Sequence, residues 1–184
     1  MTARLVLEPL RVEHAVEMVA VLSSPALYAV IGGEPPSLAE LTARYARQTA
    51  GPDVPLPTEP TEPTEPTEPV ERWCNWVLRE GEELVGYVQA TVTLAGQPAA
   101  GLAGRSAAAA LAWLVRPQDQ GRGLAVEAAV AMAVHLRETG VGPLTAWIAD
   151  HHPASQAVAR RLGLLPTEQV DGDGERCWVS FAAG

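Results

Sequence analysis

Apolar and polar residues alternate along this chain with two different periods, and the periods predict its secondary structure. Residues 4–10 (RLVLEPL) alternate at every second position, which is typical of a half-buried strand. Residues 12–22 place apolar side chains three and four positions apart, which predicts a helix with Glu13 and His14 on its solvated face. The Ser-Ser-Pro that follows is expected to end this helix. A capping box opens a second helix, predicted over residues 37–50.

The remaining pattern predicts a mixed α/β domain. Two strands joined by a tight turn come first, then an apolar strand buried on both faces, and then helices that alternate with strands. The predicted strands span residues 73–79, 84–94, 107–115, 144–149 and 175–181, and the predicted helices span 124–139 and 153–162. The predicted order is β-α-α-β-β-β-α-β-α-β-β, in which the strand before the last has no predicted bounds, and a loop is expected at about 95–106.

One segment departs from both periods, because residues 58–69 are four copies of Thr-Glu-Pro. Proline removes backbone donors and the glutamates repel one another, so this segment is predicted to be extended and flexible. We interpret residues 52–70 as an insertion in a tolerant loop of a single domain that spans residues 1–184. A substrate lid is the alternative interpretation.

The net charge of the chain favours some classes of ligand and disfavours others. Thirteen arginines and no lysine stand against 22 acidic residues, for a formal net charge of -9. A nucleic-acid backbone would be repelled, whereas a cationic small molecule would be attracted. The absence of lysine excludes Schiff-base lysine chemistry and a P-loop lysine.

The location of the protein and its metal content are also constrained. No apolar run is long enough to cross a bilayer, and the N-terminus does not resemble a signal peptide. Cys74 and Cys177 lack the spacing of a metal site and lie in strand-like stretches, so we expect buried free thiols and no metal. These features favour a cytoplasmic protein with no membrane partner.

The segment VRPQDQGRGLA, residues 115–125, carries the clearest chemical signal. A buried strand ends, a short turn with Gly121 and Gly123 follows, and a long helix begins. Glycines let the backbone approach a ligand closely, and the first helical turn has unpaired N–H groups and a partial positive charge. With the charge of Arg122, this arrangement predicts a pyrophosphate site. An ordinary strand-to-helix turn is the alternative, since the segment lacks the third glycine of the dinucleotide fingerprint.

A second segment, AWIADHHPASQAVARRLG at residues 146–163, leads from a strand into a helix. Together the two segments resemble the GNAT acetyltransferase superfamily. Gln118-x-x-Gly121-x-Gly123 matches its Q/R-x-x-G-x-G/A signature, and the later segment is similar to its N-x-A-S…L-G-F pattern. The opening RLVLEPL and the stretch WVLREGEELVGYV at 76–88 are similar to the RimJ/RimL-like branch.

The resemblance implies a mixed, mostly antiparallel sheet of about seven strands flanked by about four helices. It also implies acetyl-CoA as the cofactor and direct transfer of the acetyl group to an amine. By position, the backbone of the fourth strand should flank the acetyl-pantetheine arm, and the glycine turn should hold the pyrophosphate. The residues expected to hold the cofactor are Leu114, Val115, Gln118, Gln120, Gly121, Arg122, Gly123, Leu124 and Ser155.

Several positions depart from the family pattern. The usual asparagine is His152, and the tyrosine that many members use as an acid is Ala159. Ser155 is then expected to protonate the leaving thiolate, with His152 positioning it or relaying the proton; a helix-cap role is the alternative for both. The fourth predicted strand holds no carboxylate. The general base is therefore left open among His152, Asp150, Glu34 and a chain of waters.

Glu34 and Trp76 are the candidate acceptor-binding residues. Glu34 faces the acceptor region by resemblance, and the indole face of Trp76 can hold a cation, with core packing as the alternative. We expect the acceptor to be a primary amine of a small cationic molecule, with an aminoglycoside-like antibiotic, and hence resistance, as one candidate. The alternatives are a protein N-terminal or ribosomal-protein acetyltransferase and a catalytically silent acyl-CoA-binding module. A monomer or homodimer is expected.

Overall fold

The structure, a computed structural model, describes residues 2–51, 70–95 and 106–180. The strands are β1 (Leu5–Pro9), β2 (Val70–Glu80), β3 (Glu83–Ala95), β4 (Ser106–Val115), β5 (Leu144–Ala149), β6 (Leu164–Val170) and β7 (Glu175–Ser180). The α-helices are α1 (Ala15–Val21), α2 (Pro25–Ile31), α3 (Leu38–Ala50), α4 (Leu124–Glu138) and α5 (Pro153–Arg161). The Thr-Glu-Pro repeat and most of the loop expected at 95–106 lie outside the described residues.

All seven strands form one sheet in the order β1-β2-β3-β4-β5-β7-β6. Neighbouring strands are antiparallel except β4 and β5, which are parallel. The predicted mixed, mostly antiparallel sheet of about seven strands is therefore confirmed. The parallel pair follows from the connection between its strands, since α4 carries the chain back across the sheet.

The two faces of the sheet carry two separate cores. Adjacent β2 residues show the division, because Val77 packs with α1 and α3 whereas Leu78 packs with α4 and α5. Successive side chains of a strand point to opposite faces, so each central strand contributes to both cores. A sheet covered on both faces by helices is an α/β sandwich. Cavities in such a fold are restricted to the ends of strands and to gaps between strands.

The structure corrects the sequence interpretation at the start of the chain. The predicted helix at 12–22 is a 3₁₀ turn at Val12–His14 followed by α1. A further helix, α2, was not predicted, so there are five α-helices in the described part of the chain instead of about four. Pro25, interpreted as a stop, is the first residue of α2, a position where its missing N–H costs nothing.

The prediction that His14 lies on a solvated face is wrong. Its side chain is 3% exposed, and Nδ1 accepts a hydrogen bond from the Arg11 N–H at 3.1 Å. Burial lowers the pKa of His14, with the nearby Arg11 adding to this effect. No helix among the described residues is long and apolar enough to span a bilayer.

Candidate active site

A gap between β4 and β5 is the most open feature of the sheet. The two strands pair only at Ala109 with Leu144 and at Ala110 with Thr145. Beyond these pairs the strands separate, and a cavity of about 600 Å³ lies between them. Its walls come from the C-terminal half of β4, the start of α4, β5, the start of α5 and residues of α2. This cavity is called the main cleft below.

The hydrogen bonds of β4 show which of its peptide groups face the main cleft. The Ala107 carbonyl accepts from the Gly142 N–H at 2.8 Å, and the Ala109 N–H donates to the Pro143 carbonyl at 3.0 Å. Peptide groups alternate between the two edges of a strand, so those of Leu111, Trp113 and Val115 point the same way. Past Ala110 no β5 residue pairs with them. Their N–H groups are therefore available to a ligand in the cleft.

The two β4 residues selected from the sequence differ in their contribution. Val115 directs its peptide group to the cleft side, where its carbonyl accepts from the Gln120 amide at 2.9 Å. Leu114 has the opposite orientation, because its peptide group faces β3, where it pairs with Tyr87. Leu114 still borders the cleft among its lining residues.

The glycine turn closes one end of the main cleft. Gly121 and Gly123 have φ values of 76° and 78°, which favour glycine strongly over other residues. Gly123 is the N-cap of α4, and Leu124 is the first residue of that helix. The first N–H groups of α4 have no intrahelical partner and lie at the positive end of the helix dipole. This end of the cleft is therefore suited to bind a phosphate group.

Arg122, a predicted cofactor-binding residue, is paired with two carboxylates of the chain. Its guanidinium donates to both carboxylate oxygens of Glu80 at 2.8 Å and to Asp119 at 2.8 Å. Asp119 is buried and also pairs with Arg116, whose hydrogen bond, followed by those of Arg122, holds the pKa of the Asp119 carboxyl below its ordinary range. Asp119, which sequence reasoning missed, thus joins two arginines and fixes the turn.

Two of the predicted phosphate-binding side chains do not line the main cleft, and the third is engaged by the backbone. Arg122 is paired with carboxylates, and the exposed Gln118 is not among the residues that line the cleft. Gln120 lines the cleft, but its amide is engaged by the Val115 carbonyl. Binding at this end would be carried by backbone N–H groups, while the side chains hold the turn in shape.

The start of α5 forms part of the opposite wall. His152 is the N-cap of α5, and its Nδ1 accepts from the Ser155 N–H at 3.4 Å. Because Nδ1 accepts, the ring proton of the neutral imidazole is on Nε2. Burial lowers the pKa of His152, which favours this neutral form. Both residues line the main cleft.

The Ser155 hydroxyl is half-buried, and the described residues provide no hydrogen-bond partner for it. His152 contacts Ser155 through the backbone N–H and not through the hydroxyl. The imidazole thus caps the helix in this structure, and its relay to the Ser155 hydroxyl stays a prediction. Ala159, at the position of the family's usual tyrosine, is 0% exposed in the core under α4.

Glu175, which was not selected from the sequence, is a second carboxylate of the main cleft in addition to the arginine-paired Asp119. It is the first residue of β7, lies opposite Ala149 of β5, and lines the cleft together with His152 and Ser155. Burial raises the pKa of the Glu175 carboxyl, and the neighbouring Asp171 and Asp173 raise it further. An acidic residue at the start of the last predicted strand was visible in the sequence, but only the β5–β7 pairing brings it to the cleft.

The other acidic candidates are placed less favourably. Both oxygens of Asp150 accept hydrogen bonds from Arg176 at 2.9 Å, and this pairing lowers the pKa of Asp150. Glu34 is exposed between α2 and α3 and is not among the residues that line the main cleft. Glu175, a carboxylate with a raised pKa that lines the cavity, is better suited as a proton acceptor than Asp150 or Glu34.

Trp76, the second predicted acceptor-binding residue, packs its ring against α4. The indole meets the His135 ring edge-on, with a centroid distance of 6.1 Å and an interplanar angle of 86°. Trp76 also borders a smaller cavity beside the main cleft. Its role in acceptor binding stays a prediction.

A divided sheet with a glycine-capped helix at the end of the gap is the arrangement of an acyl-CoA-dependent acetyltransferase. Residues 4–165 match the family described as Acetyltransferase (GNAT) domain, and the chain belongs to this family. It is an N-acetyltransferase, and acetyl-CoA is the acyl donor of the family. No curated protein sequence matches the chain.

Solved structures support the same fold. An acetyltransferase from Thermus thermophilus is 27% identical, with a TM-score of 0.65 and coverage of 97% of this chain and 98% of that one. RimL, a ribosomal-protein alpha-N-acetyltransferase in complex with coenzyme A, is 15% identical, with a TM-score of 0.68 and coverage of 98% and 95%. The aminoglycoside acetyltransferase AAC(6')-Ib in complex with ribostamycin and coenzyme A is 14% identical, with a TM-score of 0.68 and coverage of 97% and 94%.

The main cleft fits such a cofactor. It offers about 600 Å³, free N–H groups along one β4 edge and a helix N-terminus at its end. The glycines at the turn leave open space, since a Cβ on Gly121 would meet no atom within 4 Å. An extended molecule with an amide-rich arm and a phosphate-bearing end matches these features.

Proposed function

We propose that the protein transfers an acetyl group to the primary ammonium of a small molecule, with Glu175 as the proton acceptor. The observation that carries this proposal is the position of Glu175, whose carboxylate lines the same cleft as the Ser155 hydroxyl. Direct transfer requires removal of a proton from the ammonium and delivery of a proton to the leaving sulfur. The cleft has one group suited to each step.

Acetyl-CoA supplies an activated thioester to this site. The N–H groups of Leu111, Trp113 and Val115 line the gap, where they can polarise a carbonyl. Glu175 removes the proton from the acceptor ammonium, and the free amine then attacks the carbonyl carbon. Ser155 delivers its hydroxyl proton to the leaving sulfur, and the second proton, which the nitrogen loses as the amide forms, restores the Ser155 hydroxyl through solvent. His152, neutral and protonated on Nε2, caps α5 and holds the first turn in place.

The charges around Glu175 support an ammonium acceptor. Asp171 and Asp173 flank it in the β6–β7 turn, and Asp171 accepts the N–H groups of Asp173 and Glu175 at 3.0 and 2.9 Å. Glu175 in the cleft and these two carboxylates beside it attract a cation. An aminoglycoside-like acceptor, antibiotic resistance, a cytoplasmic location and a monomeric or homodimeric state stay predictions for this chain.

The proposal is tested by steady-state kinetics of Glu175→Gln with an amine panel. The turnover number kcat should fall roughly a hundred- to ten-thousand-fold, while the acetyl-CoA affinity stays close to wild type. In the wild type, kcat/KM should rise with pH through the raised pKa of Glu175, and the variant should lose this limb. Glu168→Gln is the matched control, because Glu168 is exposed on β6 and does not line the cleft.

Stability separates catalysis from a structural role. A carboxyl whose pKa is raised in the folded state favours folding below its unfolded pKa, and this contribution is lost as pH rises through the folded pKa. Glu175→Gln should therefore be at least as stable as the wild type at neutral pH. A variant that keeps wild-type kcat, or that loses activity together with thermal stability, would contradict the assignment.

A further inference from the structure

The residues that line the main cleft lie on both faces of the sheet. On β5, Ala146 and Ile148 belong to the core under α4 and α5, so Trp147 between them points to the opposite face. On β4, Val115 belongs to that core, whereas Leu114 packs with α1 and α3. All five residues line the cleft. The cleft therefore has two halves, called below the donor half, on the α4–α5 face, and the acceptor half, on the α1–α3 face.

The donor half contains the parts of the site that fit the cofactor. The glycine turn, the start of α4 and Ser155 at the start of α5 all lie in it. Because a cofactor with its phosphates at the start of α4 occupies this half, the acceptor amine has to reach the thioester from the other face. The side chains of the acceptor half therefore determine which amine is accepted.

Trp147 and Glu175 are neighbours in the acceptor half. Trp147 is opposite Cys177 in the β5–β7 pair, and Glu175 is opposite Ala149. Opposed residues of an antiparallel pair share a face, so Trp147 and Glu175 are diagonal neighbours, within reach of an aromatic and a long side chain. Both line the cleft. A cation between them would have a carboxylate on one side and the face of an indole on the other.

The rest of the acceptor half is mainly apolar. Leu27 and Ile31 of α2, Tyr87 of β3 and Leu114 of β4 line it, and no arginine lines the cleft in the described parts of the chain. Glu175 is the one charged side chain of this half among the described residues. Ile31 is 52% exposed, so an apolar group placed against it would remove apolar surface from water. The half thus offers one place for a cation and an apolar surface beside it.

We propose that the acceptor half selects a monoamine with an apolar skeleton, of the 2-arylethylamine class, and that Trp147 is a specificity-determining residue. The ammonium lies between the indole and the Glu175 carboxylate, and the ring packs against Leu27 and Ile31. Strands β5 and β4 are neighbours, so the skeleton has to cross only a gap of one to two strand spacings, about 5–10 Å. A polyhydroxylated polycation would place polar groups against apolar side chains, which costs free energy. This inference rests on the proposed function.

The first test compares acceptors that differ in their skeleton. In the wild type, kcat/KM for 2-phenylethylamine should exceed that for ethanolamine and for putrescine by roughly ten- to a hundredfold, the range for burial of an aromatic side chain. Equal kcat/KM for these amines, or a preference for putrescine or ribostamycin, would overturn the proposal. A higher kcat/KM for a tripeptide with an N-terminal phenylalanine would also overturn it and would indicate a peptide acceptor.

The second test changes Trp147. Trp147→Leu should raise KM for 2-phenylethylamine roughly two- to thirtyfold, the range of a cation–π contact, with little change in kcat or in acetyl-CoA affinity. Trp147→Phe keeps an aromatic face and should recover part of the loss. Trp73→Leu is the matched control, because Trp73 is an exposed strand tryptophan that does not line the cleft, and it should keep the wild-type KM. A wild-type KM in Trp147→Leu would contradict the role of the indole.

A binding measurement separates this proposal from the proposed function. The cation 2-phenylethyl-trimethylammonium cannot be acetylated and is titrated calorimetrically, in the presence of coenzyme A, into wild type, Trp147→Leu and Trp73→Leu. It should bind the wild type at least about tenfold more tightly than neutral 2-phenylethanol, and Trp147→Leu alone should lose this preference. The comparison within the wild type needs no variant, so it decides the proposal even where Trp147→Leu is destabilised.

The outcomes of the two kinds of experiment differ. Binding of the quaternary cation that depends on Trp147, without acetylation of 2-phenylethylamine, would support the acceptor half and contradict the proposed acetyl transfer. Acetylation of amines regardless of skeleton, with no binding of the quaternary cation, would support acetyl transfer and overturn the proposed selection by Trp147.

Discussion

The two walls of the main cleft are built in different ways. The β4–α4 wall comes from one continuous segment and acts through peptide groups, those of Leu111, Trp113 and Val115 and those of the first turn of α4. The opposite wall combines α5 with β7, and in the proposed mechanism it acts through the side chains of Ser155 and Glu175, which line the cleft. Changes of backbone shape should therefore impair the first wall and reduce cofactor affinity. Exchange of a side chain should impair the second wall and reduce the rate while affinity is kept.

Gly123→Val should have the largest effect, because it should distort the β4–α4 wall and reduce acetyl-CoA affinity. The φ of 78° at Gly123 is strained for any β-branched residue, and relief of the strain would move the N–H groups of α4. We expect the acetyl-CoA affinity to fall by more than about a hundredfold in a calorimetric titration.

The control for Gly123→Val is Gly140→Val, since Gly140 has a φ of 81° but follows the far end of α4. Both variants should lose thermal stability to a similar extent. Only Gly123→Val should lose the cofactor. Equal affinities in the two variants would mean that the glycine turn does not hold acetyl-CoA.

Ser155→Ala should have the next largest effect and should affect the second wall alone. Removal of the hydroxyl takes away the proposed proton donor but leaves the N–H that donates to His152. We expect kcat to fall by roughly a hundredfold, with the acetyl-CoA affinity unchanged. His152→Asn should be milder, because asparagine is also a good N-cap residue.

Steady-state kinetics with a cofactor titration separates the outcomes for Ser155→Ala. Ser23→Ala is the control, because Ser23 is exposed and its hydroxyl donates only to the Ala20 carbonyl in the described chain. A Ser155→Ala variant with normal kcat would show that the residue only starts the helix. A loss of acetyl-CoA affinity would show that Ser155 contributes to cofactor binding and not only to the rate.

Arg122→Gln should have the smallest effect. The guanidinium is already paired with Glu80 and Asp119, so its removal should reduce cofactor affinity by only a few-fold, the size of an exposed ion pair. Titration in low and moderate salt measures this change. A loss of more than about a hundredfold would mean that Arg122 leaves its carboxylates and binds the cofactor directly.

The contrast between the walls also explains which parts of the site were predictable. The turn with Gly121 and Gly123 could be recognised because all of its residues lie in one short segment of the sequence. Glu175 was missed because its place in the cleft depends on pairing of β5 with β7, a contact between residues far apart in sequence. The pairing of Arg122 with Glu80 was not predicted because Glu80 is on another strand, far away in sequence.

Within the fold, elements with strong periodicity were predicted and short elements were not. The strands of the central sheet and helices α3, α4 and α5 follow from apolar spacing and capping residues. Helix α2 has seven residues, too few to show a period, and its N-terminal proline resembles a stop signal. His14 was placed on the wrong face because the first turn is 3₁₀, which rotates side chains differently from an α-helix.

The central claim is that this cleft catalyses acetyl transfer to an amine, and product analysis tests it most directly. Wild-type protein is incubated with acetyl-CoA and each amine, and both coenzyme A and the acetylated amine are quantified by mass spectrometry. The account predicts that the two products form in equal amounts and that Glu175→Gln suppresses both without loss of cofactor binding. Tight binding of acetyl-CoA with no acetylated amine from any acceptor would contradict the account and indicate a silent acyl-CoA-binding module.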